Sequence, residues 1–390
     1  MYPRVTDFFN DIFGTSWNLP IQSYGFFLAL TFVVASLLIR KELKRKEKTG
    51  IVEAIKKKAI IGRPATISEL LTTALAGFII GFKIIGLIFD YDQFSLNPQE
   101  YIFSLEGNLI GGAALAIIQT FRLYKNKEAK KLDKPEKVIK LVPLSELTNT
   151  LIIIAAVSGI IGAKIFHQLE YPEEFFADPI GSLLSFSGLT FYGGLITAAL
   201  ALTWYCKKNN IPWSELADAV APALMIGYAI GRIGCQVSGD GDWGIVNLAQ
   251  QPEWLSFLPE WTWAYDYPNN VLSKGIPIEG CEGIYCYKLA EPVYPTPIYE
   301  TTMCSIFFGV LWFLRKRIKV SGVLFSMYLI MNGFERFIIE KIRVNSTYEI
   351  IGFEITQAEI ISSILILLGI AGIIYFKKKN LLNIKQDAIN

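Results

Sequence analysis

The chain has 390 residues, 52% of them hydrophobic, with 37 Lys+Arg against 35 Asp+Glu and a formal net charge of +2. This balance lacks the basic face a nucleic-acid binder needs, and one His with five scattered Cys gives neither a His-rich site nor zinc-ligand spacing. A mean hydropathy of +0.38 is high for a soluble domain and makes a membrane protein the class to test.

In chain order, apolar runs near the ~20 residues that cross a hydrocarbon core fall at 21–39, 67–89, 102–122, 147–168, 182–205, 214–234, 298–314, 321–341 and 356–376. They predict an all-α polytopic protein with about nine transmembrane helices in a single membrane domain over 1–390. The first run follows a short polar start without a small-residue cleavage pattern, so it reads as a retained span. Basic stretches follow every second crossing: Arg40 to Arg63, Arg122 to Lys140, Lys207-Lys208, Arg315 to Lys319, and Lys377-Lys378-Lys379. The alternate loops are acidic or mixed, as in Glu170-Tyr171-Pro172-Glu173-Glu174. By the positive-inside rule the N-terminus is outside and the C-terminus cytoplasmic, with consistent parity throughout.

The opening of the second run, Ile67-Ser68-Glu69-Leu70 then Gly81-Phe82-Lys83-Ile84, has a counterpart in the fourth. There the chain reads Leu144-Ser145-Glu146-Leu147 then Gly162-Ala163-Lys164-Ile165. The spacing differs by four residues, about one helical turn, so the Lys keeps its face. Residues 66–143 therefore read as an extra, duplicated helix pair with a basic loop, against chance similarity between apolar segments. The longest outer loop, 235–297, carries Trp243, Trp254, Trp261 and Trp263. It reads as an aromatic interfacial belt or as a lid over an outer site. Cys281 and Cys286 lie in it, outside the cytoplasm, and could bridge.

Ionisable groups inside spans are costly and mark site candidates. The eighth run places Arg336, Glu340 and Arg343 on one helical face, at i, i+4 and i+7. Arg232 lies in the sixth, Tyr192-Gly193-Gly194 in the fifth and Tyr24 in the first, while His167 ends the fourth. With the orientation above, all lie in the outer halves of their helices. Arginines converging at that depth suit a phosphate or carboxylate, because the guanidinium fork gives bidentate charge-assisted bonds. Gly193-Gly194, with Gly239 and Gly241, would let backbone donors approach such an anion. The plainer alternative is that Arg336 and Glu340 neutralise each other while Arg232 snorkels.

Several colinear stretches carry a family resemblance. Leu216-Ala217-Asp218 to Ala221-Pro222-Ala223, Gly231-Arg232-Ile233-Gly234 and the loop Gly239 to Gly244 resemble the signature of the prolipoprotein diacylglyceryl transferases. Ser23-Tyr24-Gly25, Phe191 to Leu195, Pro295 to Glu300, and Arg336 to Glu340 with Arg343 also fit that family in order. The resemblance covers about 20–40 and 145–376. The family usually has seven spans, which the duplicated pair would raise to nine. It implies transfer of a diacylglyceryl group from phosphatidylglycerol to the lipobox Cys thiol of preprolipoproteins at the outer face of the bacterial inner membrane. No cofactor, metal or nucleic acid is implied; the partners would be the donor lipid, the preprolipoprotein and surrounding membrane lipids.

The resemblance also implies roles. Arg232 would bind the lipid phosphate and Arg336 stabilise it as it leaves, Glu340 would orient Arg336 or Arg343, and Tyr24 would hydrogen-bond the headgroup. Asp240 and Asp242 compete for one acidic position, because the loop carries an extra residue. The family's His-Gly-Gly reads Tyr192-Gly193-Gly194 here, its Gly-Asn-Phe reads Gly234-Cys235-Gln236, and a later Asn is Ser238. Tyr, with an unperturbed pKa of ~10, is a weak base, so Tyr192 is either a hydrogen-bonding placeholder or is replaced as base by His167. A divergent homologue with another lipid or thiol substrate, or a non-catalytic lipid-binding or transport protein, are the rival readings.

Overall fold

A computed structural model of the protein describes residues 1–19, 21–91, 94, 101, 102, 104–185, 188, 190–345, 347–350 and 353–387. The helices, in chain order, are α1 (Val5–Phe13), α2 (Ser23–Lys48), α3 (Ile67–Phe89), α4 (Leu109–Glu128), α5 (Thr148–Glu170), α6 (Pro172–Ala177), α7 (Pro179–Leu184), α8 (Phe191–Lys208), α9 (Trp213–Ser238), α10 (Thr296–Leu314), α11 (Val323–Glu340) and α12 (Gln357–Asp387). Antiparallel ribbons pair β1 (Ile55–Ile61) with β2 (Glu136–Val142), β3 (Ile276–Pro277) with β4 (Tyr287–Lys288), and β5 (Thr347–Ile350) with β6 (Phe353–Thr356).

Among the described residues, six helical segments are long and apolar enough to cross a membrane: α2, α3, Leu144–Glu170, α9, α10 and Gln357–Leu382. This makes the chain a mostly helical, polytopic membrane protein. The runs at 102–122 and 321–341 fold as α4 and α11, and the run at 182–205 is divided between α7 and α8. α7 ends where Ser185 turns extended (φ −63°, ψ 145°), and Gly188, at φ 67°, lies between the two helices. The short polar start folds as α1, whose nine residues are too few for a span-length hydropathy window to register.

The chain forms two compact units. The first comprises Met1–Val52 with Ile211–Asn390. Here α2 packs along α9, and α9 along α10 and α11, around Met225, Ala229, Cys304, Leu311 and Leu324. At the basic ends of these helices, buried Glu42 receives Arg45 (Nη2–Oε1 2.5 Å) and Arg315 (Nε–Oε2 3.0 Å), while Lys46 meets Glu215 at 2.6 Å. The loop after α9 has its own aromatic core: Tyr267, 1% exposed, lies 5.0 Å from Trp243 and 4.9 Å from Tyr265 between ring centroids. Cys281 and Cys286 are joined there by a disulfide.

The second unit is Glu53–Asn210 and holds two helical hairpins, α3 with α4 and α5 with α8. In each, one lysine closes the turn. Lys83 Nζ donates to Tyr101 O at 2.6 Å, 18 residues on, and lies 3.4 Å from Ser104 Oγ, 21 residues on. Lys164 Nζ donates to Ser182 O at 2.9 Å and Ser185 Oγ at 3.0 Å, at the same separations of 18 and 21. An ammonium among carbonyl oxygens at a hairpin's apolar end has its donors satisfied where water is scarce. The β1–β2 ribbon joins the flanks of the first hairpin, with Ile55 opposite Val142 and Ile61 opposite Glu136.

Candidate active site

In the first unit, α9 brings Arg232 to its last two turns, α10 brings Glu300 to its first, and α11 brings Arg336 and Glu340 to its end, with Arg343 just beyond. Glu300 is fully buried and the guanidiniums gather on it. Arg232 Nε lies 2.9 Å from Oε2, while Arg336 Nη1 and Arg343 Nη1 lie 3.8 Å and 3.6 Å from Oε1. Tyr228 Oη donates to Oε1 at 3.1 Å from one turn before Arg232, and its ring underlies the Arg232 guanidinium at 5.2 Å. Glu340 Oε2 holds Arg336 Nη2 at 2.8 Å, and Asn345 Nδ2 donates to its other oxygen at 2.6 Å.

A left-handed residue at Gly239 (φ 64°) ends α9 after Ser238 and turns the chain back. The returning loop sets Asp242 between Arg232, to which it is ion-paired, and Arg343, whose Nη2 lies 2.5 Å from Oδ1. Thr296 Oγ1 donates to the Asp242 carbonyl at 2.6 Å. The loop then bridges the end of α11, Ile245 N donating to Ile342 O at 2.8 Å. A Cβ on Gly244 would meet Ile342 O at 2.4 Å, so this close approach requires glycine.

Asp242, and not Asp240, therefore takes the arginines. Burial alone would raise the Asp242 carboxyl, but Arg232 and Arg343 outweigh it and hold the pKa near 2. Asp240 is pushed the other way, by burial first and then by the Asp242 charge. Cys235 Sγ and the Asp240 and Asp242 carboxylates lie within 4.8 Å of one another, a set that could hold a metal ion. Asp242 is already committed to two guanidiniums, which makes this a poor cation site.

The sequence-predicted residues divide between the units. Arg232, Arg336, Glu340 and Arg343 come together, and Tyr24 lies against Gly234 on α9. Ser238 is 2% exposed and spends its hydroxyl proton on Gly234 O at 2.8 Å, so it offers no free donor to a substrate. Tyr192, Gly193, Gly194 and His167 belong to the second unit. There Gly194 packs on Gly159 O and Gly193 on Phe166, tightening the α5–α8 hairpin. His167 Nε2 lies 3.5 Å from Glu174 Oε2, with its ring 4.9 Å from that of Tyr171.

Glu300, Tyr228 and buried Glu335, beside Tyr228, are the site groups that sequence reasoning passed over. Glu300 and Glu335 are acids inside apolar runs, and the rule that selected Arg232 and Glu340 applies to them equally.

A sequence model of the prolipoprotein diacylglyceryl transferase family matches residues 114–375, more than half of the chain, and the chain belongs to that family. Similar relatives are the phosphatidylglycerol–prolipoprotein diacylglyceryl transferases of three bacteria. That of Leptospira interrogans is 29% identical over 239 residues, covering 55% of this chain and 66% of the relative. That of Dehalococcoides mccartyi is 29% identical over 232 residues, covering 59% and 77%. That of Finegoldia magna is 28% identical over 247 residues, covering 62% and 84%. The match thus spans just under two thirds of the Leptospira relative's length. Among the expected site residues Tyr24 alone lies outside the family match.

Proposed function

We propose that this chain transfers a diacylglyceryl group from phosphatidylglycerol to the lipobox cysteine thiol of a preprolipoprotein, the first step of lipoprotein maturation. The observation that carries this reading is the cluster of Arg232, Arg336 and Arg343 on Glu300. Arg336 Nη1 and Arg343 Nε and Nη1 are buried and make no hydrogen bond to any described residue. The three cations are matched one for one by the carboxylates ion-paired to them, Asp242, Glu300 and Glu340. A phosphate would thus be held by oriented N–H donors in a low-dielectric site, not by excess positive charge. Arg232 binds the donor phosphate and Arg336 stabilises it as it leaves. Glu340, on the other oxygen side of Arg336, fixes that guanidinium, and Tyr24 reaches the headgroup.

In the reaction the cysteine sulfur forms a bond to the glyceryl carbon. The carbon–oxygen bond to phosphate breaks, its electron pair leaves with glycerol phosphate, and the thiol proton passes to a base. The site arginines are cationic and cannot accept it. Tyr192 and His167 are the two candidates for that role, as the departure from the family's His-Gly-Gly motif leaves them. The relatives' names, which specify phosphatidylglycerol and prolipoprotein, support the choice of substrates. Basic loops at alternate crossings support nine spans, an outside N-terminus and a site facing the periplasmic side of the bacterial inner membrane. The matching lysine closures of the two hairpins support residues 66–143 as a duplicated pair beside the family's usual seven spans.

The test is transfer of label from diacylglyceryl-labelled phosphatidylglycerol to a lipobox peptide, with release of glycerol phosphate. Arg232→Ala and Arg336→Ala are expected to lower kcat by about 10²-fold or more. A folded wild-type protein that leaves the peptide thiol unlabelled would overturn the reading.

A further inference from the structure

Beside the close crossing of α11 and α12 runs an apolar groove of about 470 Å³ within the first unit, well away in sequence from Arg232 and Glu300. Its wall is Val323, Met327, Ile330 and Met331 of α11, at i, i+4, i+7 and i+8 on one face, with Ile373 of α12 opposite. Lys319 and Lys377 also line it, both exposed, and neither has an acidic partner among the described residues. The groove is preformed. Gly369 and Gly372 let α12 approach Ser326 closely, and the Phe376 ring packs on Gly322 at the start of α11.

Each feature narrows the occupant. The wall holds no hydrogen-bonding side chain, so nothing in it would fix the register of a peptide or the orientation of a polar ligand. Two methionines give a compliant surface suited to a chain without fixed shape. The two lysines sit where α11 begins and the apolar part of α12 ends, the basic end of this helix pair, where headgroups of a membrane would lie. A single molecule matches both parts: an apolar chain for the wall and an anionic group for the lysines.

We propose that this groove binds one acyl chain of an anionic phospholipid from the leaflet at the basic ends of the helices, with the lipid phosphate held by Lys319 and Lys377. The site is distinct from the arginine cluster and stands or falls independently of the transfer reaction. It would anchor the α11–α12 pair, and hence the base of the helix that carries Arg336, to the charge of that leaflet.

The test uses the full chain with Met331 replaced by photoreactive benzoylphenylalanine, in nanodiscs of equal parts phosphatidylserine and phosphatidylcholine. Phosphatidylserine is anionic but is not the proposed donor, so the readout is separate from the active site. After irradiation, the lipid attached at position 331 is identified by mass spectrometry. The expected ratio of serine-lipid to choline-lipid adducts is about fivefold or more above the bulk ratio, returning to bulk in a Lys319→Gln/Lys377→Gln variant. A retained melting temperature and an unchanged elution volume in detergent would show that this variant is folded. Adducts at the bulk ratio with both lysines present, enrichment that survives their loss, or no lipid adduct at all would each overturn the proposal.

Discussion

At the scale of single residues, the chemistry rests on how a carboxylate is surrounded. Glu300 is buried among Arg232, Arg336 and Arg343, the first reaching it from α9 and the other two from α11 and the turn just beyond it. Removing one partner from such a buried set leaves the others uncompensated, which costs more than a surface pair is worth. Glu300→Gln keeps the volume and an acceptor oxygen but leaves the guanidiniums without their shared counter-charge. The expected outcome is a fall in kcat of about 10²-fold with a smaller change in KM for lipid, read in the labelled-lipid assay. An unchanged kcat would remove Glu300 from the positioning of the arginines. The Arg232 and Arg336 candidates were legible because a charge in an apolar run has few reasons to be there. Glu300 and Glu335 were equally visible by that rule. The choice between Asp240 and Asp242 was not, because one extra loop residue shifts which carboxylate swings back to α9.

Elements are set by length against the bilayer and by what satisfies their ends. Hydropathy located α2, α3, α9, α10 and α12 closely, since a span must supply its own backbone hydrogen bonds over a fixed thickness. It joined α7 to α8, because a residue that turns extended, as Ser185 does at the end of α7, leaves no mark in a hydropathy sum. End satisfaction is likewise tertiary. α11 starts at Gly322, which has no side chain to cap it, and Asp218 of α9 supplies the acceptors instead. Its Oδ2 receives Gly322 N and its Oδ1 receives Phe325 N, both at 2.8 Å. Asp218→Ala is therefore expected to destabilise the protein by about 1–2 kcal/mol, as loss of a helix N-cap does, measured as a lower melting temperature in detergent. An unchanged melting temperature would mean other groups cap α11. Asp218 was noticed only as part of a family motif; its partner lies 104 residues away, a distance no local pattern reports.

Over the whole molecule, the proposed duplication makes a definite demand. The ends of the extra hairpin are brought together by β1 and β2, with Ile55 opposite Val142, so the two Cα atoms lie about 5 Å apart. Residues 56–141 can then be replaced by a short glycine linker. Removing two crossings preserves the orientation of everything that follows. The shortened protein is expected to insert, fold and restore growth of a transferase-depleted strain. A shortened protein that folds but no longer transfers lipid would make the hairpin part of the catalytic unit and end its description as an accessory copy.

Membership of a helical membrane class, the basic and acidic alternation of loops, the repeat of Lys83 and Lys164 and the residues of the arginine cluster are all written locally. Each is a matter of hydropathy, charge or spacing along one segment. What only the tertiary structure decided is pairing: Glu300 as the shared counter-ion, Asp242 between two arginines, Asp218 as the cap of a distant helix, and Ser238 turned into its own helix. Pairing depends on which helix faces lie within hydrogen-bonding reach, and a few ångströms of approach between segments far apart in the chain leave no mark in the order of residues.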